Sequence, residues 1–190
     1  MDFSELVSKC RSYRRFDESF RIDYELLKKL IGYARLSASA ANRQPLKYLI
    51  YNKPEDCEKV FPCTAWAGCL PDWPGPEPGE RPAAYIIILG DTTITESFGI
   101  DPGIAAQTIM LGAVNEGLGG CMIASIKKDK LREELQIPLQ YEILLVLALG
   151  KPVEKVVIED IRGDNVKYWR DENNVHHVPK RTLDELILKL

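Results

Sequence analysis

The chain has 190 residues, 45% of them hydrophobic and 28% charged, with a formal net charge of -3. That balance supports one hydrophobic core and excludes a disordered or fibrous chain. The acidic balance, with no basic stripe, argues against nucleic acid as a partner, and no apolar run approaches the ~20 residues that cross a bilayer.

The first five residues are acidic and lack the basic-then-apolar order of a signal peptide. A cytoplasmic protein with no membrane partner is expected. Five cysteines, Cys10, Cys57, Cys63, Cys69 and Cys121, are odd in number and irregularly spaced, which argues against a disulfide framework. Cys63 and Cys69, taken with His176 and His177, fit no common zinc spacing, so no metal is expected.

A basic cluster opens the chain: Arg11-Ser12-Tyr13-Arg14-Arg15-Phe16. Two arginines and a hydroxyl within four residues can grip phosphate oxygens through paired hydrogen bonds. The alternative is a solvated surface patch. Arg14 and Arg15 cannot point the same way in an extended segment. We assign Arg14 to the ligand and Arg15 to solvent or an ion pair.

Residues 22 to 36 read as a helix. Asp23 is its N-cap, Ile22 and Leu27 form a staple, and Leu26, Leu27, Leu30, Ile31 and Ala34 make one apolar face. The segment 37 to 45 is small and polar and leaves extended at Pro45. Residues 46 to 51 read as a strand and 54 to 60 as a short helix. Residues 62 to 82 hold six prolines, three glycines and two tryptophans, a long irregular segment of the functional kind. Trp66 and Trp73 are divided between core packing and a substrate shelf.

Residues 83 to 90 read as a strand buried on both faces. The helix starting at Asp101 is expected to be capped by that residue, with Pro102 in its first turn and an apolar body from Ile104 to Val114. Such a helix is central and can lie near a subunit contact. Residues 121 to 125 read as a strand, 128 to 136 as a charged helix and 142 to 149 as an apolar strand. The tail holds short β-like pieces, then a helix opened by a Thr182/Glu185 capping box. We expect a single domain over residues 1 to 190, α/β or α+β.

The sequence has no Gly-x-Gly-x-x-Gly opening a helix, no phosphate-loop signature, no Gly-x-Ser-x-Gly and no His-Glu-x-x-His. His176 and His177 read as ordinary residues near the surface, and no catalytic side chain is assigned. Four segments remain: Arg11-Ser12-x-Arg14, Ser39-x-x-Asn42-x-Gln44-Pro45, Gly117-Leu118-Gly119-Gly120-Cys121 and Pro179-Lys180-Arg181. Cations suit a phosphate, amides read ring heteroatoms, and bare backbone admits a close approach. The simpler alternatives are a turn cap at Asn42, a helix stop at Gly119 and Gly120, and a buried strand residue at Cys121.

In order and spacing these segments resemble the FMN-dependent nitroreductase family. The opening Arg-Ser-x-Arg-x-Phe stands as Arg11, Ser12, Arg14 and Phe16. The Pro-Ser-x-x-Asn-x-Gln-Pro segment stands as residues 38 to 45, and the central helix with its Gly-Leu-Gly end as residues 101 to 120. The resemblance implies an α+β fold with a central, mainly antiparallel sheet flanked by helices, in an intertwined homodimer with FMN at the interface. It implies that Arg11, Ser12 and Arg14 hold the phosphate and ribityl chain, with Lys180 and Arg181 closing on them. Ser39, Asn42 and Gln44 would face the flavin, Ser39 and Ala40 reaching it from the partner chain, and Gly119 and Gly120 would lie against the ring.

The implied activity is hydride transfer from NADH or NADPH to FMN, and then by a ping-pong sequence to electron-poor acceptors such as nitroaromatics or quinones. A non-catalytic flavin-binding or sensing protein, or another flavin reduction such as dehalogenation or desaturation, remains the alternative. Two departures stand out. Ala38 replaces the family's proline, and residues 52 to 83 are short and rich in Pro and Trp where many relatives carry a helical excursion.

Overall fold

A computed structural model describes residues 1 to 161 and 163 to 189. Four strands form one antiparallel sheet in the order β1-β2-β4-β3: β1 (Leu46–Tyr51), β2 (Ala84–Asp91), β3 (Gly119–Ile123) and β4 (Tyr141–Gly150). The expected antiparallel α+β architecture is what these residues build.

β2 is buried along its whole length, and its period-two alternation feeds two cores. Ala84, Ile86 and Ile88 point to the face covered by α2 (Tyr24–Arg35) and α4 (Asp101–Asn115), where Leu27, Leu30, Ile109 and Met110 pack. Tyr85, Ile87 and Leu89 point to the other face, with Val60 of α3 (Pro54–Val60) and Leu131 of α5 (Lys128–Glu134). Each fully buried isoleucine contributes about 1.5–3 kcal/mol, so this strand anchors both layers. Asp23 caps α2 as expected, accepting the Glu25 N–H at 3.2 Å.

Three features depart from the sequence reading. A first helix, α1 (Phe3–Lys9), capped by Asp2, precedes the basic cluster. The tail is a second, three-stranded sheet in the order β5-β7-β6, from β5 (Val156–Asp160), β6 (Trp169–Arg170) and β7 (His176–Lys180), with β5 and β7 parallel. Pro179 is tolerated in its middle strand because β6 pairs only with His176 and His177 and ends short of it. Lastly, Asp101 does not cap α4. It is the first helical residue, and its carboxylate is taken by another segment, described below. The Thr182/Glu185 box opens α6 (Leu183–Leu186) as expected. Among the described residues, no helix is long and apolar enough to cross a membrane.

Candidate functional site

After α1 the chain runs extended along the edge strand β3. Ser12 bridges Gly120 in parallel fashion, and the Tyr13 N–H donates to the Gly120 carbonyl at 2.9 Å. Close packing around the edge strand explains both glycines, from the arm and Pro152 at Gly119 and from β4 at Gly120. A Cβ at Gly119 would sit 2.5 Å from Pro152 and 2.6 Å from the Tyr13 ring, and one at Gly120 would sit 2.4 Å from the Ala148 carbonyl oxygen. Their missing side chains make room for the protein's own atoms.

The arm, β7 and α4 enclose a cleft of about 280 Å³, lined by Arg11, Ser12, Arg14, Gln107, Met110, Met122, Tyr168, His176 and Lys180 among others. Arg14 is only 8% exposed. Its Nη1 donates to the Ser12 carbonyl at 3.3 Å and lies 3.2 Å from His176 Nε2, while its guanidinium stands 4.7 Å from the Tyr168 ring centre. Arginine cannot accept, so Nε2 accepts and the His176 proton resides on Nδ1. Burial, with positive charge from Arg14 and Arg170, holds His176 down to about 4, so the imidazole is neutral at pH 7.

The buried His176 Nδ1 and Arg11 Nε find no hydrogen-bond partner in the protein. Among the described residues, none of the charged side-chain groups of Arg11, Arg14 and Lys180 has a carboxylate within 4 Å, and no acid lines the cleft. A site with three unpaired cations, a hydroxyl and orphaned buried donors fits an anionic ligand such as a phosphomonoester. His176 was missed as a candidate because its role depends on a partner 162 positions away.

Behind the cleft the chain is held by carboxylates. Glu154, with a fully buried side chain, accepts from the amides of Arg14 and Arg15 and from Arg170 Nη2 at 3.0 Å. Arg15 forms the expected ion pair, with both Glu80 oxygens at 2.5 and 2.6 Å. The Pro/Trp-rich segment is tied to the same region. The Arg170 guanidinium stacks on Trp73 at 4.2 Å, and the Cys69 N–H donates to the Tyr168 hydroxyl at 3.2 Å. Trp66 packs beside Phe61 and over Gly75. Both tryptophans therefore make packing contacts within the chain.

The amide-bearing segment lies elsewhere. Ser39 Oγ donates to Asp101 Oδ2 at 2.6 Å and accepts the Gln44 N–H at 2.9 Å, and the Ala40 N–H donates to Asp101 Oδ1 at 3.0 Å. These bonds hold a turn in which Ala41, Asn42 and Gln44 all have positive φ, at 51°, 54° and 51°. Non-glycine residues are rare there, and each costs on the order of 1 kcal/mol. Ser39 and Gln44 line a separate cavity of about 520 Å³ with Arg35, Tyr48 and Asp101. Within the chain, then, Arg11, Ser12, Arg14 and Lys180 share a cleft with Gly120 alongside, whereas Ser39 and Gln44 line the second cavity. Ala40 and Asn42 lie in the Ser39–Gln44 turn. Arg181 does not line the cleft; it pairs with Glu185 at 3.1 Å and with Asp164 at 4.0 Å.

Residues 79 to 151 match the model of the nitroreductase family. A curated relative from Bacillus subtilis (strain 168), named "Putative NAD(P)H nitroreductase YdgI", is 31% identical over 65 residues, which is 34% of this chain and 31% of the relative's length. The match thus spans less than a third of that relative. Among solved structures, a nitroreductase family protein from Clostridium novyi NT superposes with a TM-score of 0.65 at 25% identity, covering 80% of this chain and 87% of that one. A nitroreductase from Exiguobacterium sibiricum 255-15, described as putative and solved in complex with FMN, gives a TM-score of 0.68 at 21% identity, covering 80% and 89%. With the antiparallel sheet, its flanking helices and the basic arm laid along the edge strand, the chain has a nitroreductase-like fold, and its residues 79 to 151 carry the match to that family's model.

Proposed function

We propose that the protein is an FMN-dependent oxidoreductase that takes hydride from NADH or NADPH and passes it by a ping-pong sequence to electron-poor acceptors such as nitroaromatics or quinones. The observation that carries this reading is the cleft in which Arg11, Arg14 and Lys180 converge without a carboxylate among them. Bound FMN supplies the hydride chemistry. The chain's own part is to bind and orient. Arg11, Arg14 and Lys180 neutralise the phosphate, and Ser12 adds a hydroxyl donor. The uncompensated cations favour negative charge in the cleft, in the manner of a preorganised electrostatic site. No side chain is assigned as acid or base.

The resemblance puts the 39–44 turn at the same cofactor, and within one protomer that turn borders a different cavity. The reading therefore takes a homodimer, with the cleft of one copy completed by the turn of the other. The exposed apolar side chains Leu183, Leu186, Ile187 and Leu188 at the C-terminal end support such an association. The test is a visible spectrum of purified protein, before and after added FMN, with NADH or NADPH under anaerobic conditions. A band near ~450 nm that bleaches with nicotinamide and returns with a nitroaromatic or quinone supports the reading. Flavin that binds but is never reduced favours a sensing role. Sizing in dilute solution tests the dimer, and a stable flavin-loaded monomer refutes it.

A further inference from the structure

Three arginines crowd around the buried Glu154, and they are treated differently. Arg15 is gripped by both oxygens of Glu80. Arg170 is bonded to Glu154 and stacked on Trp73. Arg14 is the most buried of the three, and its side chain has neutral company: the Ser12 carbonyl, the His176 imidazole, the Tyr168 ring and the buried Cys121 thiol. Glu154 bonds the Arg14 backbone amide and spends its other oxygen on Arg170.

A buried guanidinium without an anion is costly, because burial removes water and nothing charged replaces it. A carboxylate in place of His176 would relieve that cost and would also cancel the charge. A neutral imidazole acceptor fixes the guanidinium's orientation and leaves its full charge. The Tyr168 ring does the same from the side, since its attraction for a cation adds no negative charge.

We propose that His176 and Tyr168 are positioning residues that hold Arg14 as an oriented, uncompensated cation for the anionic part of the cleft's ligand. This rests on the reading of the cleft as an FMN site. The unpartnered Nδ1–H of His176, buried at the cleft wall, belongs to the same arrangement.

The test is FMN affinity, measured by quenching of flavin fluorescence, for the wild type and for His176→Gln, His176→Leu and His176→Glu. Glutamine keeps a neutral acceptor near the Nε2 position and is expected to stay within about 3-fold of wild type. Leucine removes the acceptor and glutamate cancels the charge. Each is expected to weaken binding by about 10-fold or more, the usual worth of a hydrogen bond to a charged group. Should the His176 variants not fold, Tyr168→Phe and Tyr168→Leu carry the test. Phenylalanine keeps the ring and the affinity, and leucine loses about 10-fold or more by the same reasoning. Wild-type binding that is unchanged in His176→Glu, or equal in the two Tyr168 variants, overturns the positioning role and leaves the FMN reading intact. A wild type that takes up no FMN overturns the FMN reading itself.

Discussion

Replacing Glu154 by glutamine tests what holds the basic arm in place. The carboxylate is fully buried, accepts two backbone amides and pairs with Arg170, whose side chain is itself only 11% exposed. Glutamine is nearly isosteric, and its carbonyl can still accept from the Arg14 and Arg15 amides. What it removes is the charge opposite Arg170. An ion left unpaired in a buried site costs about 3–5 kcal/mol, so Glu154→Gln should destabilise the protein by that amount in urea denaturation followed by circular dichroism at pH 7. The double variant Glu154→Gln/Arg170→Met removes both charges and should recover a substantial part of the loss, because no ion then remains stranded. Glu80→Gln serves as the comparison. Its pair with Arg15 is 23% and 30% exposed, and an exposed pair is worth about 1 kcal/mol or less. A Glu154→Gln variant that loses less than about 1 kcal/mol, or a double variant no better than the single one, refutes the assignment of Glu154 as the buried anchor.

His176 is held neutral in the folded chain at about 4, below its ordinary value of 6.5, whereas the unfolded chain takes up a proton near 6.5. Stability should therefore be lost as pH falls through this window, by roughly 2–3 kcal/mol between pH 7.5 and 4.5; unfolding curves of His176→Gln should lack that component, and identical pH dependences would refute it. Gly120→Ala places a methyl group 2.4 Å from the Ala148 carbonyl and should cost about 1–3 kcal/mol, read as a lowered Tm; an unchanged Tm contradicts the packing explanation of this glycine. Asp101→Ala removes both anchors of the 39–44 turn and should cost about 2 kcal/mol. It should also speed tryptic cleavage after Arg43, and an unchanged cleavage rate counts against the anchoring role.

The parts of the fold set by local pattern were legible in the sequence. Residues 83 to 90 form an unbroken apolar run and became most of the doubly buried β2, and the Asp23 cap with its apolar face placed α2. What escaped was decided by distant partners. α1 buries no residue of its own, so no periodicity marked it. The second sheet pairs β5 with a strand some twenty positions on, in parallel, through short and half-exposed segments. Asp101 had the right residue type and position for a cap, yet Ser39 and Ala40, about 60 positions away, claimed its carboxylate.

At the site, the Arg11–Ser12–Arg14 cluster carried its own signal, since guanidiniums grouped around a hydroxyl are a chemical pattern. His176 and Tyr168 carried none. A histidine of an ordinary pair and a lone tyrosine become informative only when the second sheet folds them against Arg14. The glycine pair was visible as a place of close approach, and the approaching groups within the chain proved to be Tyr13, Pro152 and β4.

The account rests on the cleft being built for a phosphate-bearing flavin around Arg14. The most direct measurement is an FMN titration of the flavin-free wild type beside Arg14→Ala, with each protein's fold checked by circular dichroism. Saturable binding by the wild type, weakened about 10-fold or more in a folded Arg14→Ala, is the predicted result. A wild type that takes up no FMN, or an Arg14→Ala variant that binds it equally well, contradicts the account.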